Sequence, residues 1–530
     1  MPGPLKINRR AFLQSLAASV CAASLARSAT QDRRPNILII VADDMGYSDI
    51  GCYGGEINTP NLDALARGGM RFTQFYNAAR CCPTRACLLT GLYPHQAGVG
   101  DMVANRGLPA YQGYLNDSCV TIAEALGAGG YHTLMSGKWH IGEQKGNWPV
   151  DRGFERHYGL ISGASSYWKV DKGRTFVDND RVIDPAEDPN FYATDAYADR
   201  AVQFIDEFSK KPNPFFLYVP FTAPHWPLHA RPEDIARYRG KYMQGWDKLR
   251  EQRHRRMVEL GILDESVSLS PRDAKAREWD NLTQKEKEEM DLKQAVYAAQ
   301  IDRMDQGIGR IIAKLKETGQ FDNTLILFFA DNGGCHEGVN RNEDPDAPIG
   351  TKGSYQSYGL SWANASNTPF RMFKHWVHEG GISSPFIVHW SGHVQAGAIN
   401  RSEVAHLIDI MPTVLTASGA AYPTERKGRK ITPLEGKSLL PVFEGKPREP
   451  HQAIFWEHEG NKAVRAGQWK LVSAVGGKWE LYDMSVDRAE LNNLAAKMPE
   501  KVAELGALYD AWARRAGVVD YRELNRKKPA

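Results

Sequence analysis

The sequence predicts an α/β protein: a large, mostly parallel sheet sandwiched by helices, then a smaller C-terminal antiparallel sheet with one covering helix. Three observations carry this prediction. Runs such as Ile37-Leu38-Ile39-Ile40-Val41-Ala42 and Leu325-Ile326-Leu327-Phe328-Phe329-Ala330 are apolar at every position, as strands buried on both faces require. Segments of helical periodicity alternate with such runs over most of the chain. Beyond residue 449 the pattern changes to short alternating segments, the mark of a half-exposed antiparallel sheet. At 530 residues the chain is long enough for a large core and more than one domain.

The first 29 residues stand apart. Asn8-Arg9-Arg10-Ala11-Phe12-Leu13-Gln14 is a twin-arginine pattern ahead of a mild apolar run reaching Leu25, with small residues at 26–29 suited to cleavage. The run is too short and too rich in Ala and Ser to span a membrane, so a bacterial twin-arginine export signal is expected. The implied partner is the twin-arginine export machinery, and the mature chain is expected in the periplasm or outside the cell, without a membrane span. Four positives (Lys6, Arg9, Arg10, Arg27) and no acid lie in this segment; taking those four from a net +3 leaves −1. That balance gives no reason to expect nucleic-acid or membrane-surface binding. Six cysteines remain after Cys21, too few and too scattered for a disulfide framework. One bridge stays open, without an assignable pairing.

Strand 37–42 ends in Asp43-Asp44, and Thr59-Pro60 opens a short helix that stops at Gly68-Gly69. A strand follows at 70–76. The segment from Cys81 to Thr90 is a helix, with Pro83 in its first turn and Gly91 as its stop. Residues 121–126 read as helix, and 131–135 as a strand running into Ser136-Gly137-Lys138-Trp139-His140. A helix at 193–208 places Ala201, Phe204, Ile205 and Phe208 on one face. Strand 215–219 runs into Thr222-Ala223-Pro224-His225. Residues 237–292 are charge-rich and poorly patterned, so an exposed, partly helical insertion is expected there. A helix at 296–315 leads to strand 324–330 and then Asp331-Asn332-Gly333-Gly334. Residues 434–449 read as a linker. Short strands near 453–456, 462–465, 469–472 and 479–482 and a helix near 501–515 complete the chain. The expected division is signal 1–29, catalytic α/β domain 30–448 and C-terminal α+β subdomain 449–530.

Ligands of open α/β sheets bind outside the carboxyl ends of the strands. Four strands deliver Asp43 and Asp44, Lys138 and His140, His225, and Asp331 and Asn332 to that edge. Any one pair alone reads as turn capping; the agreement of four strands is the signal. Three carboxylates and an amide are hard oxygen ligands, suited to Ca2+ or Mg2+ rather than zinc. With Arg85, Lys138 and Lys374 as cations and histidines to move protons, the set points to metal-assisted hydrolysis of a phosphate or sulfate ester. Cys81 sits where a helix N-terminus favours negative charge, with Arg85 one turn on. From spacing alone, an anion site and a buried helix start are equally open. Cys81, Cys82 and Cys87 match no zinc spacing, and Cys81 and Cys82 are too close to bridge easily.

Cys81-x-Pro83-Thr84-Arg85 followed by Leu88-Leu89-Thr90-Gly91 resembles the sulfatase signature, whose cysteine is oxidised to Cα-formylglycine; Thr84 stands where serine is commoner. Asp43-Asp44-Met45-Gly46, Gly137-Lys138-Trp139-His140, Ala223-Pro224-His225, Asp331-Asn332-Gly333-Gly334 and Lys374 ahead of Glu379-Gly380-Gly381 resemble further motifs of that family. Trp362-Ala363-Asn364 and the 369–382 stretch look most like bacterial arylsulfatases. The resemblance implies an alkaline-phosphatase-like fold and hydrolysis of sulfate esters to alcohol and inorganic sulfate. It implies formylglycine made from Cys81 by a formylglycine-generating enzyme, and Ca2+ held by Asp43, Asp44, Asp331, Asn332 and residue 81. Arg85 would hold the hydrated aldehyde, and Lys138 and Lys374 the sulfate. His225 would protonate the leaving oxygen and His140 would take the proton of the second hydroxyl. The substrate stays open between aryl and carbohydrate sulfates. A phosphonate monoester or phosphodiester hydrolase and a non-catalytic sulfated-glycan-binding protein are the alternatives. Cys82, His375 and His378 read as packing or surface residues, and His336 as a neighbour of the pocket.

Overall fold

The computed structural model describes residues 34–342 and 344–526; the expected export signal lies outside them. No helix among the described residues is long and apolar enough to cross a membrane. The large sheet has eleven strands: β1 (Asn36–Asp43), β2 (Met70–Tyr76), β3 (His132–Ser136), β4 (Arg156–Leu160), β5 (Phe176–Asp178), β6 (Arg181–Val182), β7 (Phe215–Pro224), β8 (Thr324–Ala330), β9 (Ser383–His389), β10 (Ala398–Asn400) and β11 (Ala405–His406). Their order is β10-β2-β9-β8-β1-β7-β3-β4-β5-β6, with β11 extending along β2. The centre is parallel: Ile37 pairs with Phe216 of β7 on one side and Leu325 of β8 on the other. β9 runs antiparallel between β8 and β2.

The alternating faces of β1 explain its uninterrupted apolar run. Leu38, Ile40 and Ala42 pack into a core shared with the Ala193–Phe208 and Gln284–Glu317 helices, while Ile37, Ile39 and Val41 pack with the Cys81–Thr90 helix on the other side. Each layer therefore hides one half of the strand. The Gln284–Glu317 helix starts twelve residues before its apolar periodicity, because Thr283 and Glu286 form a capping box that nucleates a polar first turn.

Two expectations need correction. The 237–292 segment is anchored, not merely exposed. Its helix Trp246–Glu259 packs Trp246 edge-on against Trp279 (4.9 Å) and Trp362 (5.3 Å). The same helix buries Arg253 against Asp49 (2.7 Å) and Glu56 (2.8 Å). Composition showed the charge and not the partners that let it be buried. The 434–449 linker is likewise packed down, with Leu439 and Phe443 fully buried and Arg448 paired to Asp409 at 3.1 Å.

The small sheet is an antiparallel meander of β14 (Ile454–His458), β15 (Asn461–Ala466), β16 (Trp469–Ser473) and β17 (Glu480–Asp483); a two-residue hairpin, β12 (Glu425–Arg426) and β13 (Arg429–Lys430), precedes it. The Pro499–Ala516 helix covers it, stacking Trp512 on Phe455 at 5.1 Å. Val464, Leu471, Leu481, Leu505 and Trp512 join the core under Ile37, Ile39 and Val41, so the small sheet is buried against the large one. The six described cysteines are all unpaired.

Candidate active site

The parallel register sets the site. Ala42 of β1 lies opposite Ala330 of β8, so the residues that follow each strand emerge side by side. Asp44, in a left-handed conformation (φ 67°), donates its N–H to Asp331 Oδ1 at 3.1 Å and accepts from Asn332 Nδ2 at 2.7 Å. Beyond β3, Gly137 (φ 142°) passes so close to β7 that a Cβ there would lie 2.1 Å from Pro220 O. This close approach brings Lys138 inward, where its Nζ meets Asp43 Oδ2 at 2.5 Å. His225 follows the end of β7. Lys374, from the loop ahead of β9, reaches Asp44 at 2.8 Å and His225 Nε2 at 3.3 Å.

The Cys81–Thr90 helix points its N-terminus into this cluster, with all ten of its residues buried. Thr84 ties the helix down, donating from Oγ1 to Asp331 O at 2.6 Å and accepting the Ala78 N–H at 3.0 Å. Arg85 donates to Lys138 O at 2.8 Å and Asp331 Oδ2 at 2.9 Å, and lies 3.5 Å from Asp43. His140, also left-handed (φ 58°), sits beside both thiols, with Nε2 3.3 Å from Cys82 Sγ and close to Cys81 Sγ. All ten residues expected at the site therefore converge: Asp43, Asp44, Cys81, Arg85, Lys138, His140, His225, Asp331, Asn332 and Lys374. None is more than 6% exposed.

The charges are unevenly held. Burial works against the Asp43 charge, but Lys138, His225 and Arg85 bring its pKa down to about 2. Burial and the charge of Asp43 push Asp331 up, against the pull of Arg85. A hydrogen bond from Cys82 lowers the Cys81 thiol, helped by His140 and Lys138, while burial raises Cys82. Burial lowers His140 to about 4 and lowers His225 as well, so both rings are neutral at neutral pH. His225 donates Nδ1–H to Trp226 O at 2.6 Å, which leaves Nε2 facing Asp44 and Lys374.

A divalent cation fits this donor set. Among the described residues the buried oxygens Asp43 Oδ1 and Asn332 Oδ1 have no hydrogen-bond partner, an expensive condition that a bound ion relieves. Three carboxylates and an amide oxygen are also the ligands of a hard cation.

Other residues were missed or placed only loosely by sequence. Glu337 bridges Arg80 (3.0 Å) and Trp226 Nε1 (2.9 Å) across the rim; only its place in the loop after Asp331-Asn332 hinted at this. His336 packs between Phe373 (5.6 Å) and Trp376 (4.6 Å). Cys82 contacts His140 in addition to packing. His378 is buried 3.5 Å from Glu480, whereas His375 is partly exposed and paired with Glu459.

Helices flanking a parallel sheet, with acids, cations and a helix N-terminus meeting at its carboxyl edge, define a hydrolase of anionic esters. Residues 35–420 match the family model Sulfatase, and 370–507 match the model N-sulphoglucosamine sulphohydrolase, C-terminal. The chain is 36% identical to an uncharacterized sulfatase of Schizosaccharomyces pombe, over 92% of this chain and 95% of that protein. It is 37% identical to an arylsulfatase of Klebsiella aerogenes, over 79% and 94%. The crystal structure of Ps i-CgsB in complex with k-i-k-neocarrahexaose superposes with a TM-score of 0.68 at 26% identity, covering 91% of this chain and 93% of that one. The chain belongs to the sulfatase family, and it is a sulfuric ester hydrolase.

Proposed function

We propose that this chain hydrolyses sulfate esters with a nucleophile made from Cys81 and a Ca2+ ion held by Asp43, Asp44, Asp331, Asn332 and residue 81. The observation that carries this reading is the convergence of those oxygen ligands with Arg85, Lys138 and Lys374 at one helix N-terminus. A thiolate is a soft ligand poorly matched to such a site, whereas an aldehyde hydrate is a hard one. When formed, the Cα-formylglycine supplies one hydroxyl to attack sulfur and a second whose deprotonation releases sulfate; the cation supplies charge for the developing oxyanion.

The remaining work falls to this chain's side chains. Arg85 holds the nucleophile's oxygens, and Lys138 and Lys374 bind the sulfate oxygens, which the dipole of the Cys81–Thr90 helix also favours. His140, kept neutral by burial, is ready to accept a proton. His225 Nε2, the free lone pair of the ring, takes a proton from the Lys374 ammonium 3.3 Å away and passes it to the leaving oxygen. Three carboxylates against three side-chain cations cancel, so a bound dication would be met by one negative charge on the sulfate ester and by two on the sulfate released. The twin-arginine pattern supports export of the folded, modified chain to the periplasm or beyond, after a formylglycine-generating enzyme has acted in the cytoplasm.

Peptide mass spectrometry across residues 81–85, paired with turnover of para-nitrophenyl sulfate and a para-nitrophenyl phosphodiester, tests the reading. An aldehyde at residue 81 and preference for the sulfate are expected. An unmodified cysteine in active enzyme, or a large preference for the phosphodiester, would overturn it.

A further inference from the structure

Besides His140, three residues other than glycine hold left-handed backbone near the start of the Cys81–Thr90 helix: Ala79 (φ 63°), His375 (φ 89°) and Glu459 (φ 49°). They are joined to one another. The His375 N–H donates to Ala79 O at 2.8 Å, and His375 Nδ1 meets Glu459 Oε2 at 2.8 Å. Strained conformations of this kind persist where the surroundings over-determine them, and they gather at functional sites.

Asn461 fixes the pair from behind. Its Oδ1 accepts from Val475 N at 3.2 Å, and its Nδ2 donates to His458 O and His375 Nε2, both at 3.1 Å. The amide orientation is thereby set, and the His375 proton belongs on Nδ1, aimed at Glu459. His375 presents no lone pair to that carboxylate, so the two form a hydrogen-bonded pair rather than two arms of a cation site, although His458 is also close.

The position of the pair is informative. Glu459 lies on the turn between β14 and β15, His375 directly follows Lys374, and Arg80, whose charge Glu459 feels, directly precedes Cys81. The His375 and Glu459 side chains are 20% and 21% exposed, whereas that of Lys374 is 2% exposed. The pair thus lies partly open to solvent beside two residues of the closed site, Lys374 by direct chain continuity and Cys81 through Ala79 and Arg80. Glu337, 26% exposed, stands at the rim as well.

We propose that the His375–Glu459 pair is the specificity-determining wall for the alcohol half of the ester, selecting alcohols that carry uncharged hydroxyls or an amine over those that carry a second anionic group. The inference rests on the sulfate-ester hydrolase reading above. A carboxylate only accepts hydrogen bonds, so it welcomes hydroxyl and ammonium donors and repels another anion. Burial works against the charge of Glu459, but the hydrogen bond from His375 and the neighbouring His458 and Arg80 hold its pKa down to about 2. Glu337 is held at about 2 as well, against its burial, by Lys374 and Arg80. A second anionic group on the alcohol beside this pair would meet the Glu459 carboxylate.

The test is kcat/KM for para-hydroxymethylphenyl sulfate against para-carboxyphenyl sulfate, measured on wild type, Glu459→Gln and Glu459→Lys. Wild type is expected to favour the hydroxymethyl ester by about tenfold or more, the scale of one close like-charge contact. Glu459→Gln should bring the ratio toward unity, and Glu459→Lys should reverse it. A ratio between two substrates on one preparation is insensitive to losses in folded protein. An unchanged ratio in both variants, with turnover intact, would overturn this inference alone. A modified, Ca2+-loaded wild type that cleaves neither of these aryl sulfates nor a monosaccharide sulfate would overturn the hydrolase reading, and this inference with it.

Discussion

Cys81 and Cys82 place the same thiol at neighbouring positions and receive opposite treatment. Cys81 is lowered by a hydrogen bond from Cys82 and by nearby His140 and Lys138, while Cys82 is raised by burial. Cys81→Ala should therefore abolish turnover of para-nitrophenyl sulfate. Cys82→Ala removes a weak contact to His140 and a hydrogen bond to the Cys81 thiol that an aldehyde at position 81 no longer needs, and should keep activity within about tenfold, the scale of one neutral hydrogen bond. The reverse result would move the modified residue to position 82. At this scale the sequence was legible wherever a residue ended a buried strand, as Asp43, Asp331, Lys138 and His225 do. Glu337 and Glu459 were not legible, because their places depend on contacts with segments far away in the chain.

Among the elements, the Trp246–Glu259 helix departs most from its sequence appearance. Eight of its residues are charged, yet Arg253 is 1% exposed and links Asp49 to Glu56. Asp49 also accepts from Gly46 N at 2.8 Å and Tyr297 Oη at 2.7 Å, so the helix braces the turn that follows Asp43 and Asp44. Arg253→Met leaves a buried carboxylate without its cation and should cost about 3–5 kcal/mol, read as a shift in the urea midpoint. A cost below about 1 kcal/mol would mean that the helix merely rests on the surface. The Ala193–Phe208 helix and strand β8 were legible in full, because burial on a fixed face or on both faces writes a periodic pattern. Buried ion pairs write no such pattern.

For the whole molecule, acid is the weak point. Burial holds His157, His406 and His458 at about 3. Each is neutral in the fold but takes up a proton near pH 6.5 once unfolded. Their stabilising effect is therefore complete above about pH 6.5 and declines as pH falls toward 3, by about 1.4 kcal/mol per pH unit per histidine. Despite their burial, Glu379 and Asp409 are held at about 2, the first by Lys470 and Arg488 and the second by His451 and Arg448. They add a second loss below their unfolded values of 4.5 and 3.8. The melting temperature should thus begin to fall below about pH 6.5 and drop more steeply below about pH 4.5, as calorimetry across that range would read. A flat profile down to about pH 4.5 would mean that these histidines are solvated or paired in the folded protein.

The sequence by itself determined the α/β architecture, the carboxyl edge where polar residues collect and the ten residues that meet there, because strand burial and strand-end chemistry are local properties carried by consecutive residues. Only the tertiary structure decided what surrounds them. It brought the β14–β15 turn against the loop that carries Lys374, with Glu459 on His375, seated Arg253 between two acids and placed the Cys82 thiol against His140. Each of these is a contact between segments far apart in the chain, whose geometry follows from how whole layers pack rather than from any local run of residues.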